Sequence, residues 1–493
     1  MALNTPFIHL MKTPLAYYFF DVNTNRFVQI EEKLYNYLSL EQQADKNYTP
    51  IDNAIKDDAI NKALEALRTD GFLSSKRPEK LRHGFSDHLD TILDKEILHI
   101  TLQLTQQCNF RCVYCIYAPN EFEFQRSHSP KRMSKETAIK AIDFLAAHSS
   151  GTDRIALSFY GGEPLLEYDL MHELVLYAEE LFEGRDLLFS VTTNASLITR
   201  EIAEFLSQHN FILLISIDGT PQIHDRGRKF AANGMGTYST IESNLQMIQN
   251  DFSELYDKIS FNMVVDTRFS TQEVHAFIMS NPLFKDKSVT LTVVNDGVNF
   301  EKHAFSEDYV INERAVQFYA LLNYFGRFPS DKISNPAKIA LETKLTKFKK
   351  AEYMSTKELP DIFSHGGPCI PGQKKLLVDT DGNFFPCERV SETSSDMQIG
   401  NLEQGINVEK CVQILNVCEL TEHECKNCWA LTHCILCVSR CDNNGCLSGD
   451  LKLSSCNDVR VIVRSEFNLF LFLNELKDKF EEVDNEKHSN ISI

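Results

Sequence analysis

The spacing of apolar positions divides the chain into stretches of different period. YYFFDV (17–22) and RFVQI (26–30) are aromatic and β-branched runs on either side of NTN, which predicts a β-hairpin. The period then lengthens. IEEKLYNYLSL and DDAINKALEALRTDGFL have helical spacing; Ile60, Leu64 and Leu67 share a face, and Gly71 is placed to end the helix. Residues 1–90 therefore predict a small α+β module. SKRPEKLRHGFSDHLDTILDK (75–95) is polar and reads as a linker.

From residue 96 strands alternate with helices. ILHITLQLT, RIALSFY, DLLFSVTTN, FILLISIDG, KISFNMVVD and SVTLTVVN are six strand-like runs. Helical segments lie between them, among them KETAIKAIDFLAAHS with Ser134 as N-cap and STQEVHAFI with a Ser270–Glu273 capping box. This alternation predicts an α/β core over 96–330, a parallel sheet that is open or curled into a partial (β/α)6 barrel. In such sheets the chemistry sits at the C-terminal strand ends. CNFRCVYC, GGEP, TTN and SIDG all fall there. Residues 331–365 read as a connecting helical region and 366–460 as a cysteine-rich domain folded around metal. Residues 461–493 read as a C-terminal helix, VIVRSEFNLFLFLNELKDKF, with a polar, disordered tail.

Composition narrows the class. A chain of 493 residues with 43% hydrophobic and 24% charged residues is that of a globular protein of several domains. Its formal charge of -19 argues against a nucleic-acid or anionic-membrane surface. The start lacks a basic segment followed by a long apolar one, and the apolar run FNLFLFL is too short to span a bilayer. A cytoplasmic location is expected, where the 14 cysteines serve metal rather than disulfides. Three of them, Cys108, Cys112 and Cys115, are spaced C-x3-C-x2-C; the other eleven lie between Cys369 and Cys456. A cubane iron–sulfur cluster has four irons, so three local thiolates leave one iron open to a small molecule. The alternatives are a zinc site completed by a distant ligand, or unliganded thiols.

The loop, with Tyr114 before its third cysteine, resembles the signature of radical S-adenosylmethionine (SAM) enzymes. The other strand ends resemble that family too. GGEP (Gly161, Gly162, Glu163, Pro164) is similar to the motif that supports the methionine part of SAM, with Asn194 and Asp218 at neighbouring strand ends. SIDGTPQIHDRGR resembles the fourth-strand segment of the SPASM subgroup, which implies SAM contacts from Ser216 and Arg228. The resemblance covers roughly 96–460. It implies a [4Fe-4S] cluster whose open iron is chelated by SAM, reductive cleavage of SAM, and hydrogen-atom abstraction from a substrate by the resulting radical.

The cysteine-rich end resembles the SPASM signature. Cys369-x12-Gly382-x4-Cys387 matches its first half and Cys425-x2-Cys428-x5-Cys434 its second. The resemblance implies two auxiliary clusters, one on Cys425, Cys428, Cys434 and Cys456, the other on Cys369, Cys387 and Cys437. The spacing before Cys437 is one residue short of the pattern, which leaves Cys441 as its rival. Cys411, Cys418 and Cys446 have no assigned role and read as buried free thiols. Glu388 stands where related sulfatase-maturating enzymes have an aspartate base; it reads as a base, a supporting group or an exposed carboxylate.

The N-terminal module resembles the winged-helix-like domain that binds the leader of ribosomally made precursor peptides, with a structural cap as the other reading. Together the resemblances imply a radical SAM peptide maturase that joins a Cys sulfur to carbon as a thioether. Its expected partners are a leader-bearing precursor and an electron donor such as flavodoxin or ferredoxin, with no nucleic acid or membrane. Carbon–carbon crosslinking, epimerisation, formylglycine formation and a non-catalytic metal scaffold are the alternatives. The peptide and the residues joined are not encoded in this chain.

Overall fold

The computed structural model describes all residues except 1–4, 48–56, 118–125, 127, 295–304, 354–356 and 490–493. Asn295 of the sixth strand-like run and the last four residues of the tail lie outside the described residues.

The N-terminal module holds the expected hairpin and a third strand. β1 (Ile8–Lys12), β2 (Tyr17–Asp21) and β3 (Arg26–Ile30) form an antiparallel sheet in that order, followed by α1 (Glu32–Asn47) and α2 (Asp58–Thr69). Successive side chains of a strand point to opposite faces. Phe19 packs with Ile8, Leu34, Leu38 and Leu64 under the helices. Tyr18, Phe20 and Val22 face the other way, against Leu431, Phe467 and Phe470 of the C-terminal region. YYFF is apolar at every position because both faces of the sheet are covered. Gly71 ends α2 as expected, at φ +87, its N–H donating to the Arg68 carbonyl.

Residues 75–95 are not a linker. Within them β4 (Lys80–Leu81) pairs in parallel with Ile362–Phe363, and α3 (Leu89–Lys95) buries Leu89, Ile92 and Leu93. The apolar residues are few, but they fall at i, i+3 and i+4, so one face suffices.

The core begins with β5 (His99–Thr105), the short β6 (Phe110–Cys112) and α4 (Lys135–Ala147). There follow β7 (Arg154–Gly161), α5 (Tyr168–Leu181), β8 (Asp186–Thr193), α6 (Arg200–Gln208) and β9 (Ile212–Ser216). Next come α7 (Pro221–Gly227), β10 (Arg228–Phe230), α8 (Tyr238–Asp251), α9 (Ser253–Asp257), β11 (Ile259–Val265), α10 (Gln272–Ser280) and β12 (Ser288–Val293). β5, β7, β8, β9, β11 and β12 lie side by side in sequence order, every pair parallel. Ser134 caps α4, accepting from the Thr137 amide at 3.0 Å. The Ser270–Glu273 capping box is not formed. The N-cap is Thr271, whose hydroxyl donates to Glu313, while Ser270 accepts from the Gln272 amide and from Asn312. A long-range partner has displaced the local one.

α11 (Glu307–Tyr324) and α12 (Asn335–Tyr353) are followed by β13 (Ile362–Phe363) and the cysteine-rich region. That region is continuous with the main sheet. β14 (Leu376–Val378) pairs in parallel with β5, and β15 (Asn383–Phe385), β16 (Gly400–Asn401) and β17 (Gly405–Ile406) extend the sheet to ten strands. Leu376, Leu377, Val378, Phe384 and Phe385 belong to the same buried cluster as Leu102 and Ile142. A conventional apolar core therefore supports this region, contrary to the expectation of a fold built around metal alone. After α13 (Val408–Leu415) and α14 (Glu422–Lys426), α15 runs from Gly449 to Ser489. It starts earlier than its sequence pattern suggested, so Cys456 lies within it, and it continues through part of the tail expected to be disordered. Among the described residues no helix is long and apolar enough to cross a membrane.

Candidate active site

The strand-end motifs converge. A cleft of about 270 Å³ at the C-terminal ends of the sheet is lined by Cys108, Cys112 and Cys115, with Tyr114 between them. Gly161, Gly162 and Glu163 form one wall, and Asn194, Ser216 and Arg228 line it from the next strands. Asp218 lines an adjoining cavity that shares Tyr114. Pro164 is buried at the start of a short 3-10 turn and does not line the cleft.

The two glycines are required by close approach. A Cβ on Gly161 would sit 2.3 Å from the Thr105 carbonyl oxygen, and one on Gly162 would sit 2.1 Å from that of Gln107. Without side chains, β7 passes directly over the cysteine loop. The Gly162 and Glu163 amides donate to the same two carbonyls, each at 2.8 Å. The Glu163 carboxylate is turned into the protein, accepting from the Thr193 hydroxyl at 2.7 Å, the Asn194 amide at 2.8 Å and the Leu165 amide at 3.1 Å. Burial raises its pKa against those hydrogen bonds. Its place is to clamp β7 to β8. Asn194 is likewise committed, donating to Asn109 of the cysteine loop at 2.9 Å.

Arg228 is the charged centre of the cleft. Strand β10 pairs with β6 so that Arg228 lies opposite Cys112. Its guanidinium donates to the Tyr114 hydroxyl at 3.0 Å and lies 4.0 Å from the Asp218 carboxylate, to which Tyr114 donates in turn. Its Nε is buried with no partner in the structure. Burial works against the Arg228 charge, but Tyr114, Cys112 and Asp218 outweigh it and hold its pKa high. Burial pushes the Cys108 thiol up to about 12 and Cys112 to about 11, and raises Cys115. A coordinated metal inverts this, because its charge deprotonates the thiol, and Arg228 already pulls Cys112 and Cys115 downward. Among the described residues no three His, Cys, Asp or Glu side chains converge on a single ion. A cubane takes each thiolate on a separate iron, which suits three thiols on one loop, and the unpartnered Arg228 nitrogen fits an anionic group beside them.

The second thiol group is built differently. Cys425, Cys428, Cys434 and Cys456 together line one small cavity of about 40 Å³. They come from α14, the turns after it and α15. Burial raises the Cys387 pKa, and Glu388 and then Cys437 add to it. Cys369 and Cys437 are exposed. Cys441 is fully buried in the main apolar cluster, and burial pushes it up to about 12. Cys411 and Cys418 are buried as expected, but Cys446 is exposed.

Glu388 is partly buried and paired. It accepts from Lys375 Nζ at 2.7 Å, and its backbone carbonyl accepts from Arg126 at 2.6 Å. Burial acts to raise its pKa, but Lys375 prevails and lowers it. That favours a held carboxylate over a tuned base.

Sequence reasoning missed the neighbouring buried pair, Arg126 and Glu392, whose side chains are 1% and 7% exposed and 2.7 Å apart. Gln103 of β5 donates to Glu392 at 2.6 Å and to Tyr117 at 2.9 Å. The pair ties the cysteine loop to the segment after Cys387. Arg126 lies in a polar run with no periodicity, so only the tertiary fold reveals it.

These features define a class: Cys108, Cys112 and Cys115 on a loop after the first core strand, facing GGEP and Arg228 at the ends of a parallel sheet. Residues 102–278 match the family model described as "Radical SAM superfamily", whose members are enzymes. Among curated relatives, the radical SAM cyclopropyl synthase TigE of Paramaledivibacter caminithermalis is 22% identical over 57% of this chain and 62% of its own length. The cysteine-type anaerobic sulfatase-maturating enzyme of Clostridium novyi is 30% identical over 29% of this chain and 38% of its own length. The chain thus spans less than two thirds of either relative. A solved structure, native anSMEcpe with bound AdoMet and Kp18Cys peptide, superposes with TM-score 0.54 over 78% of this chain and 99% of that one, at 19% identity. At that identity the likeness shows the fold.

Proposed function

We propose that this enzyme is a peptide maturase that abstracts a hydrogen atom from a leader-bearing precursor and closes a thioether between a Cys sulfur and a carbon. The observation that carries the reading is the cleft with three cysteines and an unpartnered buried arginine nitrogen, in a chain that also gathers four cysteines in a second cavity. Cys108, Cys112 and Cys115 would hold a [4Fe-4S] cluster, and the GGEP backbone, Ser216, Asn194 and Arg228 would surround SAM. Bound there, the pair supplies a carbon-centred radical able to take a hydrogen atom.

The chain's own groups orient and exclude. Glu163 and Asn194 fix the strand ends against the cysteine loop. The Arg228–Tyr114–Asp218 chain sets a fixed positive charge beside Cys112. Cys425, Cys428, Cys434 and Cys456 would hold a fully ligated auxiliary cluster, and Cys369, Cys387 and Cys437 a second one with an iron free for a substrate thiolate. A thiolate is a soft ligand suited to iron, and holding it there would favour sulfur–carbon bond formation.

The peptide assignment draws on β3, which pairs only with β2 among the described residues and leaves an edge for strand addition. Likeness to sulfatase-maturating enzymes supports a protein or peptide substrate. A second reading, carbon–carbon bond formation, is favoured by the likeness to a cyclopropyl synthase. Anaerobic turnover of a Cys-containing precursor tests both. A thioether product loses two hydrogens and one alkylatable thiol. Loss of two hydrogens with every thiol still alkylatable, together with a new carbon–carbon crosslink located by fragmentation of the peptide, would establish the second reading, and no change in the peptide would refute both.

A further inference from the structure

Lys452 is almost completely buried, at 1% exposure, inside a region rich in thiols. Its Nζ donates to Thr421 Oγ1 at 2.5 Å and to Cys425 Sγ at 3.0 Å, and Thr421 Oγ1 lies 3.3 Å from the same sulfur. With Thr421 accepting from the ammonium, its own hydrogen is free to point at Cys425. Neither partner is a carboxylate. Two other charged side chains line the cavity, Glu424 and Arg460. Glu424 is 52% exposed at its side chain and sits 3.8 Å from His423, so it faces water.

A buried ammonium without a counter-ion carries a large desolvation cost. Its position adds to that cost, because Lys452 is in the first turn of α15, where the helix dipole favours anions. Both penalties are removed by an anion in the cavity against which the lysine lies. Four thiolates about an iron–sulfur cluster are such an anion, and the four cysteines lining the cavity are those proposed to hold one.

We propose that Lys452 is the built-in counter-charge and hydrogen-bond donor of this auxiliary cluster, a positioning residue that raises its reduction potential. Net charge and hydrogen bonds to sulfur are two of the quantities that set such potentials. On reduction the cluster accepts one electron from a one-electron carrier, and no proton need follow because the ammonium already offsets the added charge. The inference rests on the cluster assignment made above.

The test is an anaerobic redox titration of the reconstituted full-length enzyme, with iron content measured in parallel. The Cys425→Ala/Cys428→Ala double variant identifies the signal that belongs to this cavity. In Lys452→Gln that signal should lose at least tenfold in its one-electron reduction equilibrium, about 59 mV; Lys452→Arg, which keeps the charge, should recover most of it. Iron lost from Lys452→Gln but kept in Lys452→Arg supports the same role. A cavity-dependent signal with an unchanged potential in Lys452→Gln would overturn the role of Lys452. So would equal iron loss, or an equal shift, in both variants. If every wild-type signal survives in the double cysteine variant, the cluster assignment itself fails.

Discussion

The two cysteine cavities of this protein differ in ligand number and in room. The first has three thiols at the mouth of a cleft of about 270 Å³, with glycine backbone and a charged arginine on its walls. The second has four thiols around a space of about 40 Å³, with a buried lysine against one sulfur. Open coordination suits a centre that binds a ligand and reacts; closed coordination suits one that stores or passes electrons. Zinc sites divide into catalytic and structural kinds on the same principle. The cations differ accordingly. Arg228 keeps an unpartnered nitrogen, whereas Lys452 donates to Cys425, one of the four thiols, and to the Thr421 hydroxyl beside it.

The two cavities should differ most when the open site is removed. Replacing Cys108, Cys112 and Cys115 by Ala should remove about four irons and abolish 5'-deoxyadenosine formation. Iron assay and chromatography of the SAM products check this, and deoxyadenosine formed at the normal rate would end the distinction between the two cavities.

The next effect is on stability. Glu163→Ala leaves three donors around a buried carboxylate site unpaired. The expected loss is about 3 kcal/mol or more, read as a fall in denaturant midpoint. Glu163→Gln, which keeps an acceptor, should lose less.

Smaller again is the contrast between Cys437 and Cys441. Cys437→Ser should lower iron in the auxiliary clusters with little effect on folding. Cys441→Ser should keep the iron but cost about 1–3 kcal/mol, since it places a hydroxyl in an apolar core. The reverse pattern would move the ligand to Cys441. The smallest effect belongs to Glu388→Gln. A carboxylate held charged by Lys375 is a poor base, so turnover should fall by no more than about twofold, whereas general-base catalysis would typically cost about a hundredfold or more.

Much of this was legible in the sequence for physical reasons. The core strands are runs of β-branched and aromatic residues, so β5, β7, β8, β9, β11 and β12 stood out, although only β5 and β7 are largely buried on both faces and the edge strand β12 buries Val289 alone. The cleft was legible because its cysteines and glycines are close in sequence and fall at strand ends. What failed to show depends on distant partners. α3 is held by three apolar residues within a polar segment, and Thr271 gave up its local cap role for Glu313. β14 joins the sheet beside β5, and Arg126 meets Glu392. Lys452 lay outside the helix that the sequence predicts, and only the earlier start of α15 at Gly449 places it, buried, in that helix.

On this reading a ligand enters the coordination of one cavity and not the other. Mössbauer spectroscopy of the 57Fe-reconstituted enzyme, with and without SAM, tests it directly. SAM should alter the signal of a single iron, the change should vanish in the variant lacking Cys108, Cys112 and Cys115, and it should persist when Cys425 and Cys428 are replaced by Ala. A SAM-dependent change that survives the first set of substitutions, or is lost with the second alone, would contradict the account.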